Sequence, residues 1–222
     1  MNITVAQDKF FNQLKNFKPQ KYEISRALSL YSAAITLADD DAITRTIEIG
    51  RSYAIEREMF YEIVLQSYLF LGFPRMLTAA ENLGKSFPSK KNKYDLKKIT
   101  DSESRQWFDD GLGLYQKVYG DKHRILQDKV MSMAPEVFRW MIIEGYGKVL
   151  SRPVIDITNR ELSIIAFLMM ENRKKQLLSH IVGAGNVNVS MELINYVVDD
   201  IGEAAGDGYR TARAIIKQLV IS

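Results

Sequence analysis

Apolar residues along the chain recur at helical rather than alternating spacing. In the segment 159–170, Leu162, Ile165, Ala166 and Met169 fall at positions i, i+3, i+4 and i+7, which line one face of an α-helix. Other apolar residues fill the opposite face, so this helix is expected to be central in the core. The same spacing predicts further helices at roughly 5–16, 22–38, 41–52, 56–71, 74–86, 104–119, 122–132, 135–149, 173–185, 190–204 and 208–220. No segment alternates convincingly as a strand does, and the predicted fold class is all-α.

Two helix starts in the last third of the chain carry capping signals. Thr158 and Glu161 match the T-x-x-E capping box, in which each residue bonds a free amide at the helix start. Asn172 is a suitable cap for the following helix. The two helices are therefore expected to form a hairpin that turns near Asn172. Pro74 and Pro135 fall in the first turn of predicted helices, where a missing N–H costs nothing.

The helical pattern occurs twice. Displacing the sequence on itself by 134 positions, without a gap, aligns Arg26 with Arg160 and Gly72 with Gly206, and the apolar positions agree although identity is low. A four-helix unit is therefore predicted to occur twice in one chain. We call residues 22–86 the N-terminal repeat and residues 156–220 the C-terminal repeat.

A polar, basic stretch separates the two apolar regions. It contains Pro88 and several lysines, and its composition is typical of a solvated linker. The predicted organisation is a single all-helical chain, 1–222, with a linker at 87–104 and a C-terminal unit at 105–222.

Glu161 and His180 are polar residues in otherwise aliphatic helices. Glu161 lies eleven residues before Asn172 and His180 eight after it, which places them roughly 16 and 12 Å from the turn on adjacent helices. The two side chains are therefore expected to meet. The N-terminal repeat has Ala27 and Thr46 at these positions, so the fold does not require the pair. An imidazole ordinarily titrates near neutrality, and a carboxyl group beside it suits proton transfer.

Each of these residues also has a purely structural interpretation. A glutamate at the third position of a capping box bonds the amide of the capping residue. A single histidine in an apolar helix is commonly a core residue with satisfied hydrogen bonds. Glu161 and His180 are placed together, and both are replaced in the N-terminal repeat. A functional pair is therefore as well supported as the purely structural interpretation.

Composition and charge narrow the classes of function. The 222 residues include no cysteine and only two histidines, which excludes disulfides and thiol chemistry, favours a cytoplasmic protein and makes a metal site unexpected. A net charge of +3 is too small and dispersed for a nucleic-acid surface. The N-terminus lacks a signal-peptide pattern, and no apolar run approaches the ~18 to 20 residues that cross a bilayer, so no membrane partner is expected.

The C-terminal sequence resembles a known family. The fragments "YGKVLSRPVIDITNREL" and "QLLSHIVGAGN", within a matching stretch from Gly111 to Val198, are similar to the carboxymuconolactone decarboxylase family, which includes the alkylhydroperoxidase D-like proteins. The resemblance implies an alkylhydroperoxidase D-like helical bundle of two related units, with the N-terminal repeat as a degenerate copy. Short members of the family form rings of subunits, so a homo-oligomer is expected.

The family that the sequence resembles has two branches with different chemistry. In the peroxidase branch a glutamate on one helix is followed by C-x-x-C-x-x-x-H on the next. Glu161 and His180 match that glutamate and histidine, but Arg173 and Gln176 occupy the cysteine positions. Dithiol peroxidase activity is excluded because the reacting thiols are absent.

The decarboxylase branch keeps the histidine without the cysteine pair. Its reaction removes CO2 from 4-carboxymuconolactone without metal or organic cofactor, and it implies a small carboxylated lactone or related acid as substrate. The departing CO2 leaves a dienolate, which needs a proton donor and a group that stabilises its oxygen. The resemblance makes His180 the donor and Glu161 its partner. Arg152, Arg160 and Arg173 are candidates to bind substrate carboxylates, although each is also interpretable as a surface or helix-end residue.

Two departures from the family pattern leave the substrate open. Leu150 stands where the decarboxylases often have tryptophan, and Asn188 where a loop usually has glycine, although asparagine tolerates the left-handed conformation. The alternative function is that of a catalytically silent relative, an oligomeric binding or interaction protein in which Glu161 caps and His180 packs. A cavity of a few hundred Å³ that touches both residues would favour the enzyme, and a filled core would favour the silent protein.

Overall fold

The structure, a computed structural model, describes residues 3–88 and 97–221. These residues form helices joined by turns and loops and contain no strand, which confirms the predicted all-α class. The α-helices are α1 (Ile3–Asn16), α2 (Glu23–Leu37), α3 (Asp40–Ser52), α4 (Arg57–Ser86), α5 (Asp101–Tyr119), α6 (His123–Met133), α7 (Pro135–Trp140), α8 (Ile157–Met170), α9 (Lys174–Asn186), α10 (Met191–Ile201) and α11 (Asp207–Ile221). Short 3₁₀ segments lie at Gly120–Lys122 and Gly202–Ala205, and a π-helix at Met141–Leu150.

Gly72 interrupts α4. Its φ of 77° and ψ of 170° are not helical, and Pro74 follows in the first turn of the second half, as the sequence predicted. Among the described residues, α4 is the one helix whose length and composition would allow it to cross a membrane. No apolar run of this length was predicted from the sequence. The break at Gly72 leaves each half shorter than the roughly 20 residues that a crossing helix needs.

The chain divides into two compact units. The main unit contains Met1–Pro88 and Val154–Ser222, and the middle unit contains Ser89–Pro153. This division differs from the predicted C-terminal unit at 105–222, because α8 packs against α2. The C-terminal repeat therefore joins the N-terminal repeat rather than the segment that precedes it in sequence.

The predicted linker is shorter than expected at its C-terminal end. Its residues 89–96 lie outside the described part of the chain. Helix α5 already begins at Asp101, and Thr100 and Glu103 form a capping box there, with both reciprocal bonds present. The box satisfies free amides of the first turn, which explains why the helix starts ahead of its first apolar residues.

The helices of the two repeats keep the 134-residue offset. Helices α8, α9 and α10 each begin 134 residues after α2, α3 and α4, respectively. Residues with positive φ recur at the same offset, and these pairs are Ala38 and Asn172, Ala54 and Asn188, and Gly72 and Gly206. Asn188 thus adopts the left-handed conformation that its residue type tolerates. Shared backbone conformation, in addition to the apolar pattern, supports the predicted repeat.

The two repeats contact each other reciprocally. Helix α2 packs on α8 and α10, while α8 packs on α2 and α4. The guanidinium of Arg26 in α2 donates to Asp200 in α10 at 2.7 and 2.8 Å. At the equivalent place in α8, Arg160 donates to Glu62 in α4 at 2.8 Å. Equivalent arginines therefore join each repeat to the third helix of the other, and the two repeats share one core.

In the middle unit, α5 and the π-helix approach closely at two glycines. A Cβ on Gly147 would lie 1.8 Å from the carbonyl oxygen of Trp107, and one on Gly111 2.1 Å from that of Ile142. The sequence predicted one continuous helix at 135–149, whereas the structure has α7 followed by the π-helix. Only glycine permits backbones to approach so closely, and this contact was not visible in the apolar spacing.

Replacing Gly208 with alanine is expected to destabilise the main unit. A Cβ there would lie 1.8 Å from the carbonyl oxygen of Met169 in α8, so α11 and α8 would have to separate, at a cost of about 1–3 kcal/mol. Gly185→Ala in α9 is the matched control, because its Cβ would meet no atom within 4 Å. Urea unfolding followed by circular dichroism compares the two variants, and equal midpoints would contradict the predicted contact.

Candidate functional site

Helix α8, which carries Glu161, is capped one turn before that residue. Asp156 is the N-cap, and its carboxylate accepts from the backbone amide of Asn159 at 2.8 Å. The predicted capping box of Thr158 and Glu161 is therefore wrong. Asp156 is the N-cap of α8 instead, since aspartate caps a helix at least as well as threonine. Glu161 lies one turn into the helix, where its side chain is not needed for capping.

Helix α9, which carries His180, begins after a tight turn. Asn172 has a φ of 51° and lies within the turn, and Arg173 occupies the N-cap position without a side-chain cap bond. The prediction that Asn172 caps α9 is wrong, because its left-handed conformation is not that of an N-cap. Helices α8 and α9 pack against each other, so the hairpin itself is as the sequence predicted.

Glu161 and His180 are in direct contact. The Nδ1 atom of His180 lies 2.9 Å from Oε2 of Glu161, and the two residues are 6% and 0% exposed, respectively. A carboxylate that accepts from Nδ1–H orients the imidazole ring and favours the tautomer with its proton on Nδ1. The arrangement is therefore a buried, oriented acid–imidazole pair.

The second oxygen of Glu161 is also buried. Oε1 of Glu161 and Oγ of Ser163 have no hydrogen-bond partner among the described residues. A buried acceptor without a donor costs about 1–3 kcal/mol, and a catalytic role or a bound water or ion is among the explanations for such a group. The carboxylate thus has capacity for a second donor beyond the imidazole.

Phe70 contacts the pair, and Phe167 packs against Phe70. The ring of Phe70 meets the His180 ring edge to face, with centroids 6.0 Å apart and an interplanar angle of 81°. Phe70 also stacks on Phe167, with centroids 5.8 Å apart. Sequence reasoning missed Phe70, since it lies 110 residues before His180 in the other repeat. Helical spacing alone carries no signal for such a contact.

The equivalent place in the N-terminal repeat is ordinary core. Ala27 and Thr46 stand where the C-terminal repeat has Glu161 and His180, and each is 1% exposed. The hydroxyl of Thr46 donates to the carbonyl of Ala42 at 2.9 Å, so its hydrogen bond is satisfied within α3. The same backbone therefore folds without an acid or an imidazole at these positions.

The three candidate arginines have different surroundings. Arg160 is fully buried in its ion pair with Glu62, so its charge is already balanced. The side chain of Arg173 is 63% exposed and lies 3.3 Å from Glu171, roughly 10 Å along α9 from His180. Arg152 is exposed in the middle unit. The binding of a substrate carboxylate by any of the three stays a prediction.

A surface cavity lies elsewhere in the main unit. It has a volume of about 370 Å³ and is bounded by α1 and α3, with the lining residues Phe11, Leu14, Lys15, Asp41, Thr44, Arg45 and Glu48. Neither Glu161 nor His180 lines it, so it is not a cavity at the pair and does not favour the enzyme over the silent relative. Within the described ranges, no three histidine or carboxylate side chains cluster as metal ligands.

Comparison with known proteins assigns no family to the chain. No family model matches the sequence, and no curated protein matches it. The resemblance described above is therefore carried by the motifs around Glu161 and His180 alone.

Proposed function

We propose that this protein is a carboxymuconolactone decarboxylase-like enzyme that carries out cofactor-independent decarboxylation or proton transfer on a small carboxylated lactone or related acid. The observation that carries the proposal is the buried contact between His180 Nδ1 and Glu161 Oε2 at 2.9 Å. The ordinary core at Ala27 and Thr46 supports it, because the fold does not need the pair.

The proposed reaction uses His180 as a proton donor. The bond between the substrate ring carbon and its carboxylate breaks, CO2 leaves, and the bonding electrons remain on the substrate as a dienolate. The protonated imidazole then gives its Nε2 proton to a carbon of the dienolate, the double bond settles at the carbon that lost CO2, and water returns a proton to the imidazole. Glu161 holds the imidazole and stabilises its positive charge during this cycle.

Arg173 is the best placed of the three arginines to hold a substrate carboxylate. Its guanidinium is exposed at the N-terminal end of α9, where the helix dipole also favours an anion. Arg160 is less suited, since Glu62 already accepts from its guanidinium. Arg152 belongs to the middle unit and is a candidate by sequence alone.

A second candidate function is that of a catalytically silent binding protein. The near-complete burial of Glu161 and His180 favours it, because a substrate must reach the ring for chemistry to occur. In this case the pair is a hydrogen-bonded element of the core, and the chain acts through its surface as an oligomeric interaction protein.

Turnover of 4-carboxymuconolactone by the purified protein and its His180→Ala variant tests the proposal. Loss of the lactone absorbance with the wild type, and its abolition in the variant, is the expected result. Equal turnover by both proteins would remove the imidazole from the mechanism. Absence of turnover by both would refute decarboxylation of this lactone and favour the silent protein, provided that circular dichroism shows both to be folded.

A further inference from the structure

Phe70 brings the N-terminal repeat to the acid–imidazole pair of the C-terminal repeat. It lies in α4, two residues before the break at Gly72, and its half-buried ring contacts the His180 ring edge to face. Phe167 of α8 stacks on the Phe70 ring and restricts its movement. The imidazole is thus held from two directions, by Glu161 at Nδ1 and by an aromatic ring from the other repeat.

Four residues make up this cluster, and at the 134-residue offset each of them has a different residue as its counterpart in the other repeat. Glu161, His180, Phe167 and Phe70 correspond to the small residues Ala27, Thr46, Ala33 and Ala204, respectively. All four small residues are buried, with at most 1% exposure. The acid and the imidazole are therefore present at one of the two equivalent places, and both aromatic rings are present at that same place. Ala27, Ala33 and Thr46 lie in α-helices as their counterparts do. Ala204 lies in the 3₁₀ segment Gly202–Ala205 and Phe70 in α4, so the ring of Phe70 accompanies a local difference in backbone as well as in side chain.

We infer that Phe70 is a positioning residue of the Glu161–His180 pair, so that the site is shared between the two repeats. An edge-to-face contact with an aromatic ring restricts the rotation of the imidazole, and this keeps Nδ1 aligned with Oε2 of Glu161. The inference deepens the proposed function, on which its catalytic meaning rests. The N-terminal repeat then has a role at the site although it lacks its own acid and imidazole.

Proton NMR of the histidine ring tests this inference without a substrate. In a His123→Gln background His180 is the one remaining histidine, so its ring protons and its Nδ1–H signal are assigned directly. Phe70→Leu, which keeps an apolar side chain but removes the ring, is expected to lose the slowly exchanging Nδ1–H signal. The ring-proton resonances shift in any case once the ring current of Phe70 is removed, so the Nδ1–H signal is the deciding readout. Phe70→Tyr, which keeps the ring, is expected to retain the Nδ1–H signal.

Phe73→Leu is the matched control. Phe73 lies three residues further along the chain, is 63% exposed and stacks on Tyr68, so its loss is expected to leave the His180 signals unchanged. Retention of the Nδ1–H signal in Phe70→Leu would overturn the inference. Equal loss in Phe70→Leu and Phe70→Tyr would also overturn it, because the effect would not depend on the aromatic ring.

If the protein turns over 4-carboxymuconolactone, steady-state kinetics provide a second readout. Phe70→Leu is expected to lower kcat by about 10- to 100-fold with little change in KM, because a displaced imidazole impairs the proton transfer more than substrate binding. A change confined to KM would contradict positioning through His180. The NMR outcome stands whether or not this lactone is the substrate, so failure of the proposed reaction and failure of this inference are distinguishable.

Discussion

Replacing Glu62 with alanine is expected to lower the free energy of unfolding by about 3–5 kcal/mol. The variant leaves the guanidinium of Arg160, which is fully buried, without the carboxylate that lies 2.8 Å from it. The volume that the glutamate side chain vacates does not restore the full hydration that the guanidinium has in the unfolded chain. Urea unfolding monitored by circular dichroism measures the loss as a fall in midpoint at a similar slope.

The ion pair of the equivalent arginine, Arg26, supplies a matched control. The side chains of Arg26 and Asp200 are 11% and 12% exposed, and the guanidinium also lies over the ring of Tyr196, 4.5 Å from its centroid. Burial raises the pKa of Asp200 above its ordinary value, and the hydrogen bond from Arg26 only partly opposes this effect. Asp200→Ala is therefore expected to cost less, about 2 kcal/mol.

A double variant separates the charge effect from lost packing. Glu62→Met combined with Arg160→Met removes both charges and retains apolar volume, and such exchanges are often neutral or stabilising. It is expected to recover most of the stability lost in Glu62→Ala. Equal losses in Glu62→Ala and Asp200→Ala, or no recovery in the double variant, would show that the buried charge does not dominate this part of the core.

The helices were predictable because their determinants are local. Apolar spacing located nearly every described helix, and Gly72 followed by Pro74 marked the break in α4, where a flexible residue precedes one that favours a helix start. The offset between the repeats was visible for the same reason, since each copy keeps its own apolar pattern. Within α8 and α9, counting residues from a shared turn placed Glu161 beside His180.

The caps and the long-range contacts were not predictable in this way. Asp156 and Thr158 are both good N-caps, and their order along the chain does not determine where the helix begins. The partners of Arg160 and His180 in α4, Glu62 and Phe70, are separated from them by about a hundred residues. Those contacts arise only because the two repeats pack on each other.

Glu161→Gln and His180→Ala are each expected to lower kcat for the proposed decarboxylation by about 10²- to 10⁴-fold. The alanine variant removes the proton donor. The glutamine variant keeps the shape of the side chain but removes the negative charge that stabilises the imidazolium, and its amide is able to present a donor to Nδ1 and so select the wrong tautomer. Single-turnover measurements at saturating substrate report the chemical step directly.

The double variant decides whether the two residues act as one unit. Once the imidazole is absent, Glu161 has no ring to orient, so Glu161→Gln combined with His180→Ala is expected to lose no more than about tenfold beyond His180→Ala alone. Thr46→Ala, at the position equivalent to His180 in the N-terminal repeat, is the control and is expected to leave kcat unchanged. Multiplicative losses in the double variant would mean that the carboxylate acts on the substrate independently of the imidazole, and the contact at 2.9 Å would then not be the basis of catalysis.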